Sequence, residues 1–189
     1  MIIFFLAAAV LLIIVAFSVY FFFIAFVRRK TDSSSDIDSK ENDFLDKYRP
    51  VIKEGLNYIH SAPSRLVYCK SFDGLTLAAR YFDFHSHNTV ILFHGYRSSA
   101  DRDFSCAVKL YCEQGYNVLL TDQRSHGKSE GKLITFGVKE RYDAVSWAKF
   151  YTENIDPEAK IILGGMLSGL ASTGLHQTFK NLIRGEKNE

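Results

Sequence analysis

The chain has 189 residues, with 23 Lys and Arg against 21 Asp and Glu, a net charge of +2 and 47% hydrophobic residues. The near-balanced charge gives no basis for nucleic-acid binding. Three cysteines, Cys69, Cys106 and Cys112, are too few and too scattered for a disulfide framework or a paired-cysteine metal site, so buried thiols in a reducing compartment are expected.

The hydrophobic share is concentrated at the start. From Met1 to Val27 there is no charge, and Ser18 is the single residue outside the apolar set. The remainder is about 39% hydrophobic, an ordinary soluble composition. As a helix, Ile2 to Val27 would reach about 39 Å, against a hydrocarbon core of about 30 Å. A cleaved signal peptide would have a basic start, an apolar stretch of about 7 to 15 residues and a small-x-small cleavage site. Here no Lys or Arg follows Met1, and the run ends in Phe26-Val27-Arg28-Arg29-Lys30. A retained anchor over residues 1–30 is therefore expected, crossing the membrane through residues 1–27. Its basic flank predicts a single-pass protein with a cytoplasmic domain.

Residues 31–43 are rich in Ser, Asp, Lys and Glu with one apolar residue, and read as a polar linker. Over residues 44–62, Phe44, Leu45, Tyr48, Val51, Ile52, Leu56 and Ile59 make one apolar helical face, interrupted or restarted at Pro50. This predicts a lead-in helix packed on the domain that occupies residues 63–189.

Within that domain, Leu66 to Phe72 and Leu75 to Phe82 flank Asp73-Gly74 and predict an antiparallel hairpin with a two-residue turn. Thr89 to Phe93, Asn117 to Thr121 and Lys160 to Leu163 are short apolar runs of the kind covered on both faces. Between them, Asp103 to Gln114 carries helical spacing through Phe104, Val108 and Tyr111. Val138 to Tyr151 does so through Val138, Tyr142, Val145, Trp147 and Phe150. Alternating strands and helices predict an α/β fold, with three parallel strands joined by crossover helices and the hairpin as antiparallel edge.

Chemistry in such a sheet collects beyond the carboxyl ends of its strands. Those positions read His94-Gly95-Tyr96-Arg97-Ser98-Ser99, then Asp122-Gln123-Arg124-Ser125-His126-Gly127-Lys128-Ser129-Glu130-Gly131, then Gly164-Gly165-Met166-Leu167-Ser168-Gly169. From Leu66 to Gly169 the chain resembles the amino-terminal half of an α/β-hydrolase. The nearest likeness is to serine esterases, acylglycerol lipases and serine aminopeptidases, including membrane-anchored bacterial members. The resemblance implies that the Tyr96 N–H helps hold an oxyanion, with Gly95 allowing close approach and His94 bracing the loop. It implies that Asp122, Arg124, His126 and Gly127 form a hydrogen-bonded support for that loop. His126 is not the implied base, which follows a later strand in this family. No metal or cofactor is implied.

The sequence departs from the family at the nucleophile. Gly165 and Gly169 have the spacing of a Gly-x-Ser-x-Gly elbow, and the residue midway is Leu167, which has no lone pair to attack with. Ser168 is adjacent, flanked two residues either side by Met166 and Leu170, and is better placed as a helix cap. Only 20 residues follow Gly169, with His176 and Glu186 the late candidates for base and acid. The expectation is a truncated, incomplete hydrolase sheet without a working triad, cut short by a frameshift near Met166. Its open apolar edge at Lys160 to Leu163 would invite a second chain. Two other readings stay open. One is an active serine hydrolase for a small acyl or peptidyl substrate, using Ser168 or completed by a second chain; the other is a non-catalytic membrane-tethered binding protein.

Overall fold

The structure is a computed structural model and describes residues 1–28 and 48–165. The expectations for residues 31–43, for Phe44 and Leu45, and for Leu167, Ser168, Gly169, His176 and Glu186 lie outside the described residues.

Helix α1 spans Ile2–Phe26, and from Phe4 to Phe23 its apolar side chains are exposed. Of it, Phe4–Phe26 is long and apolar enough to cross a bilayer. Helix α2 covers Arg49–Ser61, with Pro50 in its first turn, where a missing N–H costs nothing. The helix thus restarts at the proline.

Five strands follow: β1 (Arg65–Lys70), β2 (Thr76–Phe82), β3 (Asn88–Phe93), β4 (Asn117–Thr121) and β5 (Lys160–Gly165). They form one sheet in the order β1-β2-β4-β3-β5. β1 with β2 and β2 with β4 are antiparallel; β3 pairs parallel with β4 and with β5. The sheet is therefore a mixed α/β sheet with a hairpin edge. The hairpin turn is longer than predicted. Ser71 and Leu75 still pair through their backbones, and the Gly74 N–H donates to Ser71 O across a three-residue loop in which Gly74 has φ +87°. A glycine in that conformation closes a three-residue hairpin by a bulge, so Asp73-Gly74 alone does not set the turn.

Both sheet faces are covered, which is why the parallel strands read as unbroken apolar runs. Val90 and Leu92 of β3 face α2 and α3 (Ala100–Glu113), packing with Ile59, Val108 and Cys112. Ile91 and Phe93 face the other way, onto Ala144, Trp147 and Tyr151 of α4 (Glu140–Asn154). α2 and α3 approach closely at Gly55, where a Cβ would lie 2.2 Å from the Ser105 carbonyl oxygen.

The crossover helices begin elsewhere than predicted. α3 starts at Ala100 because Ser99 caps it, its hydroxyl accepting from the Arg102 N–H at 3.3 Å. α4 starts at Glu140, leaving Val138 exposed in the preceding turn and Tyr142 turned outward. Cys69 and Cys112 are buried, while Cys106 is exposed, contrary to the expectation of three buried thiols.

Candidate active site

Register places the site. Phe93 pairs with Thr121 on one side and with Gly165 on the other, so the carboxyl ends of β3, β4 and β5 lie level along one edge. Residues 94–99, residues 122–137 and the chain beyond Gly165 therefore leave from the same place. Gly165 has φ +153°, and a Cβ there would lie 2.2 Å from the Phe93 carbonyl oxygen. Only glycine lets β5 end this close to β3.

The loop after β3 is tied at both ends. The buried His94 ring donates from Nδ1 to Gly95 O at 2.9 Å and accepts at Nε2 from the Gln123 N–H at 3.1 Å. A carbonyl only accepts and an N–H only donates, so this pair of bonds fixes the neutral tautomer. The Gln123 side-chain amide donates to His94 O. Burial pushes the His94 pKa below its ordinary value and keeps the ring neutral. His94 thus joins the β3 and β4 loops.

Within that loop the Gly95 N–H donates to Asp103 Oδ2 at 2.7 Å, while Asp103 Oδ1 accepts from the Ser98 hydroxyl. Arg97 is held at φ +54°, uncommon for a residue with a side chain. With the Gly95 N–H committed to Asp103, the next amide, Tyr96 N–H, has no acceptor among the described residues.

The loop after β4 folds back on itself. Asp122 Oδ2 accepts from the Lys128 N–H at 2.8 Å, and burial raises its pKa. Gly127, at φ +46°, sits against that carboxylate, where a Cβ would lie 2.3 Å away. The Ser129 hydroxyl donates to Asp122 O and accepts from the Ala78 N–H, fastening the loop to β2. Arg124 is buried and makes two 2.6 Å bonds to Asp143 of α4. Two more, at 3.0 and 3.1 Å, reach Asp73 in the hairpin turn. His126 donates from Nδ1 to Arg124 O and meets His94 edge-on at 4.7 Å between ring centres. Burial and the neighbouring His94 lower the His126 pKa, so it too is neutral. His94, Gly95, Asp122, Arg124, His126 and Gly127 are thus brought into one bonded unit.

The sequence had concealed several members of this site. Gln123, Asp73 and Asp143 each bind a partner far away in the chain, which no local spacing announces, and Asp103 binds back to the loop that precedes its helix. Glu140 closes the loop before α4, accepting from the Thr135 N–H and hydroxyl and from the Gly137 N–H. Arg28 is the least expected. Its guanidinium donates to Gly127 O at 2.7 Å and to Ser129 O at 2.9 Å, whereas the sequence marked it only as part of the basic flank that orients the helix.

Cys69, on β1, is a silent thiol. Burial pushes the Cys69 thiol up to about 12, leaving negligible thiolate at neutral pH. An open cleft of about 520 Å³ between β1 and α4, lined by Cys69, Phe72 and Tyr142 among others, lies off the level strand ends and presents no activated group.

Comparison with solved structures supplies the context. An esterase of Pyrococcus furiosus matches at 34% identity and TM-score 0.55, over 60% of this chain and 45% of that one. The chain is a relative of the α/β hydrolases. Est1E of Butyrivibrio proteoclasticus, solved with ferulic acid, matches at 22% identity and TM-score 0.51, over 61% of this chain and 48% of that one. A putative hydrolase of Agrobacterium vitis matches at 20% identity and TM-score 0.50, over 62% and 46%. At those identities the latter two speak to fold alone. This α/β-hydrolase relative spans under half the length of each of these proteins. No protein-family model and no curated protein matches the chain.

Proposed function

We propose that this chain is a membrane-anchored α/β-hydrolase-fold protein of serine-hydrolase descent, related to enzymes of ester or peptide bonds, that does not itself hydrolyse them. Descent is supported by the Tyr96 N–H at the level strand ends, which has no acceptor among the described residues while its neighbour Gly95 is held by Asp103; the lack of hydrolysis is supported by Leu167 between Gly165 and Gly169. An amide so placed is suited to a carbonyl oxygen or an oxyanion. His94, Asp122, Arg124, His126 and Gly127 hold the two loops in register; none is the nucleophile or the base. The position that would supply the attacking oxygen is Leu167, a hydrocarbon. Ser168 lacks flanking glycines two residues away, and both histidines at the described site are neutral, buried and committed to main-chain carbonyls. Anchoring rests on α1, and the basic residues that follow it favour a cytoplasmic domain.

A fluorophosphonate probe tests this directly. The full chain in membranes should remain unlabelled, and labelling that Ser168→Ala abolishes would establish an active serine hydrolase instead.

A second reading, partnership with another chain at β5, is favoured by one observation. Among the described residues β5 pairs with β3 alone, and Ile162 on it is 47% exposed. Ile162→Lys should abolish capture of such a partner while leaving the monomer folded.

A further inference from the structure

The end of α1 does not hang free of the domain. Val27 leaves the helix in an extended conformation and forms an antiparallel bridge with Leu133. Two backbone bonds flank the bridge, from the Arg28 N–H to Lys132 O at 2.8 Å and from the Ile134 N–H to Phe26 O at 2.7 Å. The Tyr96 hydroxyl donates to Ala25 O at 2.7 Å. Phe136 stacks on Tyr96 at 4.7 Å and meets Phe26 edge-on at 5.2 Å. Phe26, Tyr96, Leu133 and Phe136 form an aromatic and aliphatic ledge, between 36% and 48% exposed, at the mouth of the candidate site.

Distances fix where such a ledge must sit if α1 spans a bilayer. The 23-residue span Phe4–Phe26 is about 34 Å long against a hydrocarbon core of about 30 Å, so Phe26 lies at its boundary. Bridged strands are about 5 Å apart, and the headgroup layer is about 5 to 7 Å thick on each side. Leu133 therefore falls within the headgroup layer, with no slack chain to lift it out. Aromatic side chains favour that depth, and the exposed Lys128 and Lys132 beside the ledge favour anionic headgroups.

We infer that the ledge of Tyr96, Leu133 and Phe136 is a membrane-seating surface that turns the mouth of the site onto the bilayer. The inference rests on the anchored reading above. Phe136 is held at φ +50°, a strained conformation, with its ring against Tyr96 and Phe26. The same residue that offers the open N–H, Tyr96, is bonded through its hydroxyl to the end of the span, which joins ligand site and membrane end in one side chain.

Tryptophan quenching in phosphatidylcholine vesicles tests this. The chain has one Trp, Trp147, which is 1% exposed and adds a constant emission that the lipids do not quench, subtracted from that of each variant. Phe136→Trp and, independently, Leu133→Trp should each lose about half their emission to lipids brominated just below the carbonyls, as expected for a ring at that boundary. Phe84→Trp, at the opposite end of the sheet beside Asn117, should lose none. Flotation with the vesicles is read in parallel. If the full chain floats and positions 133 and 136 are quenched no more than 84, the seating surface is wrong and the anchor stands. If the chain does not float, the anchored reading fails and this inference with it.

Discussion

Gly127 owes its identity to one neighbour. At φ +46° and with the Asp122 carboxylate where a Cβ would be, any side chain meets both backbone strain and a steric clash. Gly127→Ala should cost about 2 to 3 kcal/mol, measured as a fall in the urea midpoint of the full chain in micelles. Asp73 makes a prediction about pH. Its bonds from Arg124 hold the carboxyl well below the usual carboxylate range. A carboxyl so depressed adds stability that is complete above its unfolded pKa of about 3.9 and is lost as pH falls toward the folded value. Asp73→Asn should therefore lower stability by about 1 kcal/mol at pH 7, and wild type and variant should converge below about pH 3. A constant gap across that range would mean that the ion pair with Arg124 contributes nothing. At this scale the sequence was partly legible. The loop residues were visible because they sit just after apolar runs, whereas Asp73 and Asp143 were hidden because Arg124, the partner of both, is brought to them by the folded chain.

Helix α4 explains why elements were easier to find than their faces. Its buried side consists of Glu140, Asp143, Ala144, Trp147, Ala148 and Tyr151, a regular helical stripe. Two of the six are carboxylates and two are alanines, so a search for large apolar residues is drawn instead to Val138 and Tyr142, which are exposed. The carboxylates are buried because Arg124 and the loop amides of residues 135–137 come to meet them. Asp143→Ala should accordingly cost more than its size suggests, about 3 kcal/mol, since it strands part of a guanidinium that is only 3% exposed. Asp143→Asn should recover part of that loss, because the amide oxygen still accepts. Thermal unfolding of the two variants side by side checks both statements. The β-strands were the reverse case. Burial on both faces wrote β3 and β4 into the sequence as continuous apolar runs, and their level carboxyl ends followed from parallel pairing.

For the whole molecule, the sequence suggested a span, a polar linker and then a domain, three pieces in series. The structure instead docks the last residues of α1 onto a loop about a hundred positions later. No periodicity or motif encodes a contact of that separation. Arg28 is the strongest side-chain tie, with two charge-assisted bonds to main-chain carbonyls in the loop that also carries Gly127. Being largely solvated, the pair contributes modestly, about 1.4 kcal/mol in all. Arg28→Ala should then raise the population of the opened loop about tenfold, since opening and removal of these bonds coincide. Limited tryptic digestion reads this opening, because Lys128 and Lys132 are exposed cleavage points within the loop. Cleavage at those two residues should accelerate by about the same tenfold factor, as long as reclosing outpaces the protease. Cleavage at Lys53, on α2 and away from this junction, should keep its rate. Equal acceleration at all three would mean that Arg28 supports global stability, and no acceleration would mean that the backbone bridge through Val27 and Leu133, with the Tyr96 bond to Ala25 and the Phe26–Phe136 contact, holds the junction without it.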